Sequence, residues 1–148
     1  MNKRPAQLVV VSVLWILMGL FMLIANVMDL MRFLTQGTVP GSSPALLIGM
    51  AVGGVIVSIA GLVATVGLLW ANPAARGVLE IATWAVLAGA LVNAGSMVLD
   101  AVSEIGANSA GILLAVGAVL VGIPFYALLT IILILLRGKA VRGATLPV

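Results

Sequence analysis

Seven polar side chains in an otherwise apolar sequence have the types and the spacing that could do chemistry. They are two amides, one hydroxyl, three carboxylates and one guanidinium, and we call them the outer polar cluster: Asn26, Asp29, Arg32, Asn93, Ser96, Asp100 and Glu104. Ionisable groups are costly near lipid and often mark paths for ions or substrates there. The alternative is that these groups lie at the level of the lipid headgroups and simply cap a helical bundle.

Part of this cluster shares a helical face with small residues. Between Gly77 and Glu104, small or polar residues recur at steps of three and four, and we call this set the small–polar stripe: Ala82, Ala85, Gly89, Asn93, Ser96 and Asp100. That spacing places them on one side of a helix. Lipid favours neither small nor polar side chains, so the stripe is predicted to face protein.

The composition predicts where these helices lie. Of the 148 residues, 64% are hydrophobic and 7% are charged, whereas about a quarter of the residues in a soluble domain are charged. The sequence therefore predicts an all-α integral membrane protein, a four-transmembrane-helix bundle forming a single domain over residues 1–148. The spans are predicted near 8–34, 45–70, 77–102 and 111–136, because Gly, Pro and Asn residues interrupt the apolar runs between them.

The basic residues predict an orientation. Four crossings place six of the seven on one side: Lys3, Arg4, Arg76, Arg137, Lys139 and Arg142. Only Arg32 falls on the other side. Because basic residues are in excess in cytoplasmic segments, both termini are predicted to be cytoplasmic, with the chain in the plasma membrane and specifically a bacterial inner membrane.

Small-residue spacing and local pairs predict how the helices meet. Glycines at GxxxG-like spacing are predicted packing or interface positions: Gly49, Gly53, Gly61, Gly89, Gly111 and Gly122. Two ion pairs are also expected: Arg32 with Asp29 on its own helix or with Asp100 across helices, and Arg76 with Glu80 along one helix. Tyr126 is expected to find a hydrogen-bond partner inside the bundle, near a kink at Pro124.

Several chemistries lack their residues. The chain has no Cys and no His, so thiol or histidine-based catalysis and the usual zinc and haem ligands are excluded. None of the four acids is predicted near the membrane centre, which argues against proton coupling. We therefore predict no catalytic residue, no metal site, no cofactor and no enzyme activity. The scattered basic residues argue against binding of nucleic acid.

Two functions from different classes remain. The first is a non-catalytic subunit or scaffold of a larger membrane protein complex, whose partners are the lipid bilayer and either other membrane subunits or further copies of the chain. Its support is that the small-residue faces exceed what one four-helix bundle needs. The second is a small oligomeric membrane transporter or channel, supported by the polar part of the stripe and by Pro124.

Overall fold

The computed structural model describes residues 6–37, 44–105 and 109–145. Within these ranges all regular structure is helical, in five helices: α1 (Ala6–Gln36), α2 (Pro44–Leu69), α3 (Pro73–Ile105), α4 (Ser109–Arg137) and α5 (Lys139–Thr145). The prediction of an all-helical fold is confirmed for the described residues.

Helix α3 begins four residues before its predicted start. Pro73 occupies the first helical position, where its missing N–H breaks no hydrogen bond. The Asn72 Oδ1 atom accepts a hydrogen bond from the backbone N–H of Ala74 at 2.9 Å and so caps the helix. Asn72 and Pro73, which were predicted to interrupt the helices, therefore start α3.

Three of the described helical segments are long and apolar enough to cross a membrane: Ala6–Gln36, Leu47–Leu69 and Pro73–Ser96. A fourth is added if Gly122–Arg137 and α5, which are bent by 54° relative to each other, form one broken span. The chain thus contains three to four candidate spans.

Consecutive helices pack side by side, from α1 to α2, α2 to α3 and α3 to α4, while α4 also contacts α1. Helix α5 contacts α1 and α4. The side chain of Gln7 comes close to Gly138, so the start of α1 and the end of α4 lie together. We call this the terminal end of the bundle and the opposite one the far end.

The apolar core lies in the half of the bundle next to the terminal end. Its members come from all five helices and include Leu8, Val11, Trp15, Leu68, Leu79, Leu129, Ile132, Leu136 and Val141. Among the described side chains, none after Gly19 on α1 and none after Val86 on α3 is buried. The apolar core is therefore confined to the terminal half, whereas toward the far end α1 and α2 remain in contact at Asn26 and Gly54, and Ala51 of α2 is buried.

The glycines show where the helices come closest. A Cβ atom at Gly61 would overlap the indole ring of Trp15, one at Gly54 would overlap the amide of Asn26, and one at Gly67 would lie 2.8 Å from Ala75 Cβ. A side chain at Gly61 or Gly67 would displace its neighbours, and one at Gly54 would displace the Asn26 amide. Only Gly61 belongs to the predicted set.

Three predicted glycines make no close contact within the chain. A Cβ at Gly49, Gly53 or Gly89 would meet no described atom within 4 Å, so no described helix packs closely at these points, and their role as interface positions stays a prediction. GxxxG spacing identifies a face but not the point along it where a neighbouring helix is near. The nearest neighbour of Gly122 is Tyr126 of its own helix. The contacts of Gly111 lie outside what the structure describes.

Candidate functional site

A buried hydrogen bond joins α1 to α3. The Nε1 atom of Trp15 donates to the Oγ1 atom of Thr83 at 2.8 Å, and both side chains are buried. Thr83 in turn donates its hydroxyl proton to the carbonyl oxygen of Leu79 at 2.7 Å. An indole N–H needs an acceptor when it is buried. Because the same indole ring lies over Gly61 on α2, this one side chain holds three helices together.

This contact was not predicted from the sequence. The sequence contains a Trp and a Thr in two apolar helices and a Gly in the helix between them. Their spacing does not indicate that two side chains 68 residues apart make contact. The general signal was that a buried indole must find an acceptor.

The other buried hydroxyls are satisfied within their own helices. Each donates to the carbonyl oxygen four residues before it: Ser12 to Leu8, Ser58 to Gly54, Thr65 to Gly61 and Thr145 to Val141. This local bond lets a hydroxyl lie in an apolar core without an unpaired donor. These hydroxyls are therefore structural in the described core, and none projects an unpaired proton toward a ligand.

At the terminal end, Glu80 of α3 pairs with Arg137 of α4. The Nη2 and Nε atoms of Arg137 lie 2.5 and 2.6 Å from the Oε1 atom of Glu80, and the guanidinium is 5.8 Å from the ring centre of Trp84. The expected pair of Arg76 with Glu80 along one helix is wrong, because α4 brings a second guanidinium to the same carboxylate. The Nε atom of Arg76 is buried without a described acceptor.

The outer polar cluster is not gathered into one site by the described side chains. The Nδ2 atom of Asn26 donates to the carbonyl oxygen of Met22 at 2.7 Å. Asp29 and Arg32 are both exposed, and among the described residues no ion pair joins them. Their expected pairing is therefore wrong: three-residue spacing permits contact, but exposed charges gain little from it.

The rest of the cluster lies on α3. Asn93 and Ser96 are exposed, and Ser96 Oγ donates to the carbonyl oxygen of Asn93 at 2.9 Å. Asp100 and Glu104 belong to the same helix, and their side chains lie outside what the structure describes.

The small–polar stripe enters the core only at its first residue. Ala82 is buried, whereas Ala85, Gly89, Asn93 and Ser96 are exposed. Among the described residues of the stripe, only Ala82 therefore lies in the core. Beyond Val86, the described side chains of α3 lie outside the core.

Tyr126 behaves as expected. Its hydroxyl donates to the carbonyl oxygen of Ala90 on α3 at 3.3 Å, so it joins α4 to α3 beyond the core. Thr130 donates to the carbonyl oxygen of Tyr126 at 2.8 Å. Helix α4 continues through Pro124.

Most of the described polar groups are thus bonded within their own helices, and three contacts join different helices: Trp15 with Thr83, Tyr126 with Ala90 and Glu80 with Arg137. No group of three or more His, Cys, Asp or Glu side chains that could hold a metal ion occurs among the described residues. Comparison with known protein families, characterised proteins and solved structures finds no match.

Proposed function

We propose that the chain is a multi-pass membrane protein that acts as a non-catalytic subunit or scaffold of a larger membrane protein complex. It crosses the membrane four times with both termini in the cytoplasm, and its membrane is the plasma membrane, specifically a bacterial inner membrane. The three to four candidate spans support the membrane placement. The distribution of basic residues, six to one, supports the orientation.

The outer surface of the bundle also supports placement in lipid. Large apolar side chains are exposed along all four long helices, among them Phe21, Val63, Ile81 (71% exposed) and Ile134. A soluble monomer rarely exposes contiguous apolar surface on this scale, because water opposes it. A bilayer solvates it without cost.

The exposed part of the small–polar stripe supports the proposal that a partner chain binds here. Ala85, Gly89 and Ser96 are exposed on a helix whose other exposed residues include Ile81 and Leu91. Lipid gains little from a small or polar surface, whereas another helix can approach it closely and form many contacts. Gly49 and Gly53 on α2 likewise have no neighbour over them. These surfaces are suited to helices of another protein.

The far ends of α1 and α3 favour the alternative, a small oligomeric transporter or channel. Because no described side chain of α1 after Gly19 or of α3 after Val86 is buried, a solute could enter between these two helices from the outer side. In this case the stripe would line a path formed with further copies of the chain.

Co-purification separates the two functions. The tagged chain is extracted in mild detergent and its companions are identified and quantified by mass spectrometry. A subunit retains other membrane proteins in fixed stoichiometry, and Gly89→Leu removes them because its side chain fills the stripe. Gly95→Leu is the matched control: it lies on the same helix, has no neighbour within 4 Å and points about 120° away. Purification as a homo-oligomer that moves solute in liposomes would support the alternative instead.

A further inference from the structure

At the terminal end, the described basic residues outnumber the described acidic residues. The described basic residues there form what we call the basic surface: Arg76, Arg137, Lys139 and Arg142. Of the described residues at this end only Glu80 is acidic, and Arg137 already pairs with it. Four positive charges less one negative charge leave three without a counter-ion in the described part of the chain.

Arg76 is the residue of the basic surface that has a buried nitrogen atom without a described hydrogen-bond partner. It lies four positions before Glu80, in the first turns of α3, where the helix dipole is itself positive. Its Nε atom is buried without a described acceptor, but the residue as a whole is half-buried, so a headgroup would be met by the two terminal nitrogens of the guanidinium. Phosphate oxygens are the acceptors that best match a guanidinium, because two parallel N–H groups can bond one phosphate.

Helix α5 adds two more charges in a defined arrangement. Val141 and Thr145, four residues apart, are buried against the bundle, while Lys139 and Arg142 are exposed. The helix is bent by 54° from the end of α4. The buried residues fix this segment against the bundle, so its two basic side chains are presented outward at the terminal end.

We propose that the basic surface binds the phosphate of an anionic phospholipid headgroup, with Arg76 as the principal ligand and Lys139 and Arg142 as supporting charges. This site rests on the proposed membrane placement. Exposed apolar side chains lie at the same end, including Trp70 (81% exposed) and Ile134. Acyl chains can cover these while the headgroup meets the basic residues, which distinguishes a lipid from free phosphate.

The test uses the purified full chain in dodecyl maltoside. Its melting temperature is measured with added dioleoyl phosphatidylglycerol, dioleoyl phosphatidylcholine or inorganic phosphate, and native mass spectrometry counts the lipids retained. We expect phosphatidylglycerol alone to raise the melting temperature and to remain bound. Arg76→Gln weakens this binding about five-fold, and the Lys139→Gln, Arg142→Gln double variant weakens it by a similar factor or more. Arg32→Gln, which removes one charge at the far end, leaves it unchanged.

Three results would overturn the site. These are equal stabilisation by phosphatidylcholine, equal stabilisation by inorganic phosphate, and a loss with Arg32→Gln as large as with Arg76→Gln. If Arg76→Gln does not fold, Arg76→Lys serves instead: it retains the charge but loses the two-pronged hydrogen bonding, so it weakens binding less than full charge removal. Because the purified chain is tested without partners, a negative result leaves the co-purification result intact.

Discussion

The indole nitrogen of Trp15 lies 2.8 Å from the hydroxyl oxygen of Thr83, and this hydrogen bond joins the first helix to the third through the core. Thr83 can accept this bond because its own proton is donated to Leu79. The two bonds together satisfy every polar hydrogen of both side chains. The packed half of the bundle is built around this pair and around Gly61, which leaves room for the ring.

Thr83→Val is expected to lower the stability by about 1 kcal/mol or more, because the Trp15 N–H then remains buried without an acceptor. Thr83→Ser keeps the acceptor oxygen and should cost less. Thermal melting in detergent measures both. Trp15→Phe removes the donor, so in a double-mutant cycle Thr83→Val should cost less in that background. Additive losses would show that the hydrogen bond contributes nothing.

Gly61→Ala is expected to destabilise the chain by about 1–3 kcal/mol, because the new methyl group overlaps the ring of buried Trp15. Gly53→Ala is the matched control on the same helix. It meets no atom within 4 Å, and Ala favours a helix over Gly, so it should be neutral or stabilising. Equal melting temperatures for the two variants would contradict the close approach of α1 and α2 at Gly61.

Arg137→Gln should destabilise the chain by up to about 1 kcal/mol and by more than Glu80→Gln. The Glu80 side chain is 23% exposed and the Arg137 side chain 53%, so an unpaired Glu80 is the less well hydrated of the two. Added salt should reduce both losses. Arg142→Gln removes the same charge from an exposed residue and serves as control. If Arg142→Gln lowered the stability as much as Arg137→Gln, the change in net charge, and not the loss of this ion pair, would be responsible.

Reporter fusions test the orientation proposed from the basic residues. A fusion after Ala75 or at Val148 should report the cytoplasm, and one at Gly41 should report the outer side. Activity of a cytoplasmic reporter at Gly41 would contradict four crossings with both termini inside.

The helices were largely predictable because each is a long apolar run bounded by Gly, Pro or Asn. Helix α5 was not predicted. Its seven residues are too few for a stable isolated helix, and burial of Val141 and Thr145 against the bundle supports it instead.

Contacts between helices were less predictable. Glu80 has a suitable partner four residues away in Arg76, yet it binds Arg137, 57 residues away. The hydrophobic pattern identified the small–polar stripe but not the level at which α3 leaves the core. Such features depend on the angles between helices, which a single-helix periodicity does not contain.

The central claim is that another protein covers the exposed part of the small–polar stripe. Photo-crosslinking in intact cells tests it most directly, with a benzophenone side chain placed at Gly89 or, as control, at Gly95 of the same helix. The account predicts a discrete product between the Gly89 variant and a different membrane protein, and none from the Gly95 variant. No product from Gly89, or products only with further copies of the chain, would contradict it.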